Sequence, residues 1–202
     1  MPVPVDEPLL AELWSRFKTG DEHAFDQLVE LRYRVLFNYG TRFTKDRDYI
    51  KDCIQDLFLE LWERRERLVD TPYVTIYLIK ALRNNFVRQL KHDKPWLNSQ
   101  GVEEDTLVES ANIEIDLINA ELLSEQEQAL RRAIEQLPPR QQEVIFLKFY
   151  EGLSNEEIAQ IMDVERQTVA NFLYRALSQM KNLLPALVVF LPFLLRLFKK
   201  LA

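Results

Sequence analysis

Wherever apolar positions repeat along this chain, they repeat at the spacing of an α-helix rather than at the alternation of a strand. From Ile50 to Leu68 the residues Ile50, Cys53, Ile54, Leu57 and Leu61 fall on one stripe. Leu59 and Trp62 lie off that stripe, beside Asp52, Gln55 and Glu63, so this helix is expected to carry a second, outward face that mixes large apolar groups with acids. Such a face fits protein docking, or a neighbouring helix of the same domain that covers it. The next periodic stretch, Val74 to Lys91, aligns Val74, Leu78, Ala81, Leu82 and Phe86. Its other side gathers Lys80, Arg83, Asn84, Val87 and Lys91, with Arg88 at the edge. Positive charges on one face without interleaved acids suit a phosphate backbone and a few unstacked bases, or a solvated basic surface.

Further on, the pattern predicts two helices joined by a tight turn between Leu153 and Asn182. Ser154 and Glu157 have the spacing of a capping box, which starts the first helix. Ile158, Ile161 and Met162 share a face, and Asp163-Val164 supplies the turn. From Arg166, the residues Val169, Leu173, Ala176, Leu177 and Met180 form the inward stripe of the second helix. Outward lie Gln167, Asn171, Tyr174 and Ser178, flanked by Thr168 and Arg175. Asn and Gln can bond adenine in bidentate fashion, and Arg166 and Arg175 can reach bases or phosphates, as on a recognition helix in the major groove. A merely solvated amphipathic hairpin gives the same pattern, so at this point both readings stand open.

Between these blocks "KPWLNSQGVEEDTLVES" breaks the period with Pro, Gly and an acid run. The expected class is therefore all-α: a helical domain at 10–94, an acidic linker at 95–119, and a second helical domain at 120–183 that contains the helix-turn-helix. The remaining residues, 184–202, form an apolar extension. From Leu183, "LLPALVVFLPFLL" is thirteen uncharged residues ahead of Arg196, Lys199 and Lys200. Crossing a bilayer takes about 20 apolar residues, so an added helix packed on a domain is the preferred expectation, ahead of a partner-binding or membrane-surface segment.

Composition narrows the chemistry. Four glycines, at 20, 40, 101 and 152, build no phosphate-binding loop. Cys53 stands alone, so no internal disulfide or multi-Cys metal site is expected, and its place on an apolar stripe suggests a buried thiol. His23 and His92 have no partners at a telling spacing. No catalytic, metal or cofactor site is expected, and no small-molecule substrate. The opening "MPVPVDEPLL" has neither a basic start nor an apolar run, which points to the cytoplasm. The net charge of −6 hides an uneven distribution. Residues 96–130 hold nine acids and no Lys or Arg, whereas residues 71–95 hold five basic residues against Asp93 alone.

Taken in order, these motifs resemble the bacterial RNA polymerase sigma factors of the extracytoplasmic-function group. "IKDCIQDLFLELWERRERL" is similar to that family's polymerase-binding segment, and "YLIKALRNNFVRQLK" to its promoter-melting helix. "AIEQLPPRQQEVIFLKFYEGLSNEEIAQIMDVERQTVANFLYRAL" is similar to its C-terminal DNA-binding region. The resemblance spans about residues 10–183. It implies a non-enzymatic protein whose Asp52, Gln55, Asp56, Leu59 and Trp62 dock on core RNA polymerase. It implies that Lys80, Arg83, Asn84, Arg88 and Lys91 engage the separated −10 strand, with Asn84 and the loop Val69–Val74 forming a pocket for a flipped base. It assigns Arg166, Gln167, Thr168, Ala170, Asn171 and Arg175 to the −35 element, and the acidic linker to a basic channel in the polymerase. Whether an anti-sigma factor is also a partner stays open. Ala170 and Phe172 stand where the family often has basic residues. The rival reading is a stand-alone helix-turn-helix regulator with a helical sensor domain, which leaves the Gln55–Trp62 face and the basic helix unexplained.

Overall fold

The computed structural model describes residues 7–93, 130 and 132–183, and every regular element among them is helical. They include α1 (Glu7–Lys18), α2 (Glu22–Gly40), α3 (Arg47–Glu63), a 3-10 turn (Arg65–Arg67), α4 (Val74–Asp93), α5 (Pro139–Phe149), α6 (Asn155–Met162) and α7 (Arg166–Leu183). The linker at 95–119 and the extension at 184–202 lie outside the described residues.

Local chemistry sets the helix starts. Asp21 caps α2 by accepting from the Ala24 amide at 3.0 Å, and Asp46 caps α3 through the amides of Asp48 and Tyr49 at 3.1 and 3.0 Å. Pro139 opens α5 at a position where the missing N–H costs nothing. In the first unit α1 buries Leu10, Leu13, Trp14 and Phe17, a 3–4 spacing that closes α1 onto α2 and α4. Gly40, at the end of α2, lies so near α3 and α4 that an added Cβ would meet Ile50 Cγ2 at 2.6 Å and Phe86 Cζ at 3.2 Å. Its missing side chain lets these helices converge.

The inward stripes expected for α3, α4 and α7 are observed with amendments. Cys53, Ala81 and Leu173 are only half-buried, Phe58 joins the α3 core, and Leu177 is exposed. The larger finding is that the two units are packed together. Buried residues of α1–α4 and the residues Val144, Phe146, Leu147, Ile158, Ile161, Met162 and Val169 of α5–α7 form one contiguous apolar cluster. A second, smaller cluster of Leu137, Ile145, Ala176 and Met180 ties α5 to α7. Helix α4 is buried on two sides as a result. Beside its expected stripe, Ile76, Ile79 and Val87 are also covered, and α6 packs against it.

Candidate nucleic-acid and partner interfaces

On α3, Asp52, Gln55 and Asp56 are exposed, and Leu59 remains 53% exposed in a helix whose other large apolar groups pack inward. Trp62 departs from the expected outward position. Its ring lies 5.0 Å from that of Phe25 and 6.1 Å from that of Phe17, with the Arg65 guanidinium 4.7 Å above it. It is half-buried, with Phe17 of α1 and Phe25 of α2 against its ring. The outward face is therefore Leu59 set among acids.

Helix α4 divides the basic group. Asn84 and Arg88 are exposed, Lys80 is half-buried, and the side chain of Lys91 lies outside the described residues. Arg83 requires a correction. It is 3% exposed, and its Nε donates at 3.0 Å to Glu143 Oε1, so in this arrangement it does not belong to the exposed basic face. Val87, expected on the same face, is buried with it. The covering element is the second unit, which a helical wheel of α4 cannot show.

Asn84 does border a cavity. It opens between α3 and α4 with a volume of about 180 Å³, and its polar walls are Glu60, Arg64, Tyr77, Asn84 and Asn85. That is smaller than the roughly 300–1,000 Å³ of drug-sized ligand sites, so it suits a single ring. The Glu60–Arg64 ion pair, at 2.7 Å, sets one rim, and partial burial raises the Tyr77 hydroxyl above its ordinary pKa. The loop Val69–Val74 does not line this cavity. It is instead strapped alongside, where Trp14 Nε1 donates to the Val69 carbonyl at 3.1 Å and Lys18 pairs with Asp70 at 2.8 Å. Val69 and Tyr73 protrude into solvent next to it.

The helix-turn-helix has the expected construction. Ser154 Oγ accepts from the Glu157 amide at 3.2 Å while Glu157 accepts from the Ser154 amide at 2.6 Å. Asp163 ends α6 in the left-handed conformation, φ 56°, which Asp tolerates better than most residues. On α7, Gln167, Asn171 and Arg175 are exposed, and Thr168 and Ala170 are half-buried. Gln167 Nε2 donates to Asn171 Oδ1 at 3.3 Å, and Arg166 pairs with Glu156 of α6 at 2.6 Å. Phe172, standing where a basic residue is common, packs inward against the large apolar cluster. Tyr174, absent from the candidate set, is 74% exposed along the same outer face.

Where the units meet, several charges lie buried that the sequence pattern did not flag. The Tyr39 hydroxyl donates to Glu143 Oε1 at 2.6 Å, sharing that oxygen with Arg83. The Arg42 guanidinium sits 4.6 Å over the Phe146 ring, and burial brings its pKa down to about 10. Burial also lifts the Glu151 carboxyl to about 7, against the opposing charges of Arg32 and Arg42. Between its ordinary 4.5 and that value, the packed chain keeps a proton that the unfolded chain releases. Stability is therefore greatest at the acid end of this window and is lost as pH rises through 7, by about 3 kcal/mol at most. The depressed carboxylates Asp21 and Asp48 act in the opposite direction, but below pH 3.8. Thermal midpoints at pH 5 and pH 8.5 should thus fall with rising pH, and Glu151→Gln should flatten the slope.

Among the described residues, no group of three or more His, Cys, Asp or Glu is placed to hold a metal ion, and no helix is long and apolar enough to cross a membrane.

The family model described as Sigma-70 region 2 matches residues 28–94, and that described as Sigma-70, region 4 matches residues 127–180. The chain is 29% identical over 182 residues to the ECF RNA polymerase sigma-E factor of Haemophilus influenzae, covering 84% of this chain and 92% of that protein. With the protein of the same name from Escherichia coli K12 it shares 29% identity over 183 residues, covering 87% and 94%. Among solved structures, the sigma factor RpoE in complex with the anti-sigma factor NepR from Bartonella quintana superposes with a TM-score of 0.60. That match has 23% identity and covers 80% of this chain and 96% of that one. CnrH, in complex with the cytosolic domain of CnrY, gives a TM-score of 0.58 at 19% identity over 88% and 98% of the two chains.

Proposed function

Because this chain belongs to the sigma-70 family, in its extracytoplasmic-function group, we propose that its three outward faces divide the family's work among them. As a sigma factor it binds core RNA polymerase and directs promoter recognition and transcription initiation. The stand-alone regulator is not favoured, since both halves of the chain match sigma-factor regions.

In this reading the α3 face of Asp52, Gln55, Asp56 and Leu59 docks on the polymerase, with the half-buried Trp62 at its margin. The cavity at Asn84 receives an unstacked base of the −10 element, and Lys80, Arg88 and Lys91 hold the neighbouring phosphates. Arg83 joins them once it is uncovered. Residues Arg166, Gln167, Asn171 and Arg175 read the −35 element in duplex form, with Thr168 and Ala170 close to the backbone. The linker at 95–119 and the tail at 184–202 keep the roles of connector and appendage. The protein has no catalytic residue in this account and works in the cytoplasm with the polymerase.

The observation that carries the −10 assignment is the ring-sized cavity beside the exposed Asn84, next to the basic edge of α4. Flipping a base costs a few kcal/mol, which contacts in such a pocket must offset. Asn84→Ala holoenzyme should therefore bind promoter DNA yet show at least a tenfold loss of permanganate reactivity at unpaired thymines near −10. Undiminished reactivity would remove the cavity from the mechanism.

A further inference from the structure

We propose that the segment 184–202 covers the Leu59 face of α3 within the same chain, so that core RNA polymerase must displace it to dock. The inference rests on the reading just given, in which that face is the polymerase-docking surface.

The α3 face has a composition that packing within the chain does not explain. Asp52, Asp56, Leu59 and Glu63 follow one another at helical spacing, share one side of the helix and are all exposed. Asp52 and Asp56 stand four apart, an arrangement in which like charges destabilise a helix. Among the described residues none of these three carboxylates has an ion-pair partner, whereas Glu60 at the edge is paired with Arg64 at 2.7 Å. An apolar side chain among uncompensated acids fits an occupant that is apolar and cationic at once.

The segment 184–202 has that chemistry. Leu, Val and Phe fill twelve of its positions, and its charged residues are Arg196, Lys199 and Lys200, with no acid. The basic residues are interleaved with Leu197, Phe198 and Leu201, so apolar and cationic groups can reach the same patch.

Charge decides among the possible destinations. Leu59, Val69, Tyr73 and Tyr174 are the large apolar side chains more than half exposed among the described residues. Tyr174 shares the exterior of α7 with Arg175 and Lys181, which repel a basic segment. Beside Val69 and Tyr73, the charge of Asp70 is already taken by Lys18 at 2.8 Å. Of the four, Leu59 alone is set among acids without ion pairs.

Length permits the contact. The segment reaches about 60 Å when extended, and a compact chain of this size is roughly 40 Å across. Tethering sets its strength. A linked segment acts at about millimolar concentration, so a contact too weak to persist between separate molecules keeps the face covered within one. Polymerase then binds only the uncovered fraction, and its apparent affinity falls accordingly.

Two experiments on the full chain decide this. In the first, photo-reactive p-benzoylphenylalanine replaces Phe198, and dilute chain is irradiated, digested and analysed by mass spectrometry. The expected product is a link within one chain to the peptide containing Leu59. It should disappear in the variant carrying Arg196→Glu, Lys199→Glu and Lys200→Glu. Links only to other elements or between two chains, or no link at all, would overturn the proposal. In the last case, sedimentation with phosphatidylglycerol vesicles would assign the segment to a membrane surface instead. In the second experiment, labelled chain is titrated with core polymerase. The triple variant should bind severalfold more tightly than the parent, and equal or weaker binding would overturn the competition. If that variant loses helical circular dichroism, the crosslink in the otherwise unaltered chain decides alone. If the chain links at α3 yet neither form retains core polymerase, the polymerase reading fails and the intramolecular contact stands.

Discussion

Leu59→Asp is expected to fold like the parent and to lose at least about 30-fold in affinity for core RNA polymerase, the loss that accompanies removal of one interface anchor. Leu59 is more than half exposed, so little of the chain's own packing depends on it. An Asp there removes the apolar group and places a fourth carboxylate near Asp52, Asp56 and Glu63. If that face is desolvated against the polymerase, the new charge is buried without a partner and costs more than the lost contact alone. Titrating labelled chain with core polymerase measures the loss, and thermal midpoints check the fold. Asp52→Ala, at the rim of the same face, should cost much less and chiefly change the salt dependence of association. Equal affinity for Leu59→Asp and parent would place the polymerase contact elsewhere.

Asn171→Ala carries the second large effect. Asn171 lies mid-face on α7 with its amide held toward the outside by the bond from Gln167. A bidentate side chain on a base edge is worth about 1–3 kcal/mol of discrimination, so promoter-directed transcription should fall about 10- to 100-fold. Preference should also relax at one base pair of the −35 element. Arg175→Ala, read as a phosphate contact, should instead weaken all sequences alike and reduce the salt slope. Transcription across all four bases at each −35 position distinguishes the two. A uniform loss for Asn171→Ala would make it a positioning contact rather than a reader.

Much of this architecture was legible in the residue pattern because it is local. The periods of α3, α4 and α7, the Ser154–Glu157 box and the turn at Asp163 each depend on residues within a few positions of one another. What escaped was the relation between the two units. A helical wheel puts Arg83 with Lys80 and Asn84, yet burial depends on whether another element covers that side. Two signals were present. Ile76, Ile79 and Val87 share a side of α4 with Arg83, an apolar surplus that one stripe does not use. Glu143 lies one turn before the buried Leu147, on the inward side of α5, where an acid implies a buried partner. The choice between docking and cover for Trp62 was open for the same reason, since Phe17 of α1, which meets its ring, lies 45 positions away. The sequence reading expected a pocket formed by Asn84 and the loop Val69–Val74, whereas the cavity that Asn84 borders takes Glu60 and Arg64 from the preceding helix rather than the loop.

The central claim is that one chain grips a promoter at two separate points through core RNA polymerase. Its most direct test is run-off transcription by core polymerase with the purified full chain, on templates whose promoter region is randomised, followed by sequencing of the transcripts. The expected result is enrichment of two short motifs at a fixed spacing near −10 and −35, absent when the chain is omitted. Transcripts no more abundant than with core polymerase alone, or enrichment of a single motif, would contradict the two-point grip.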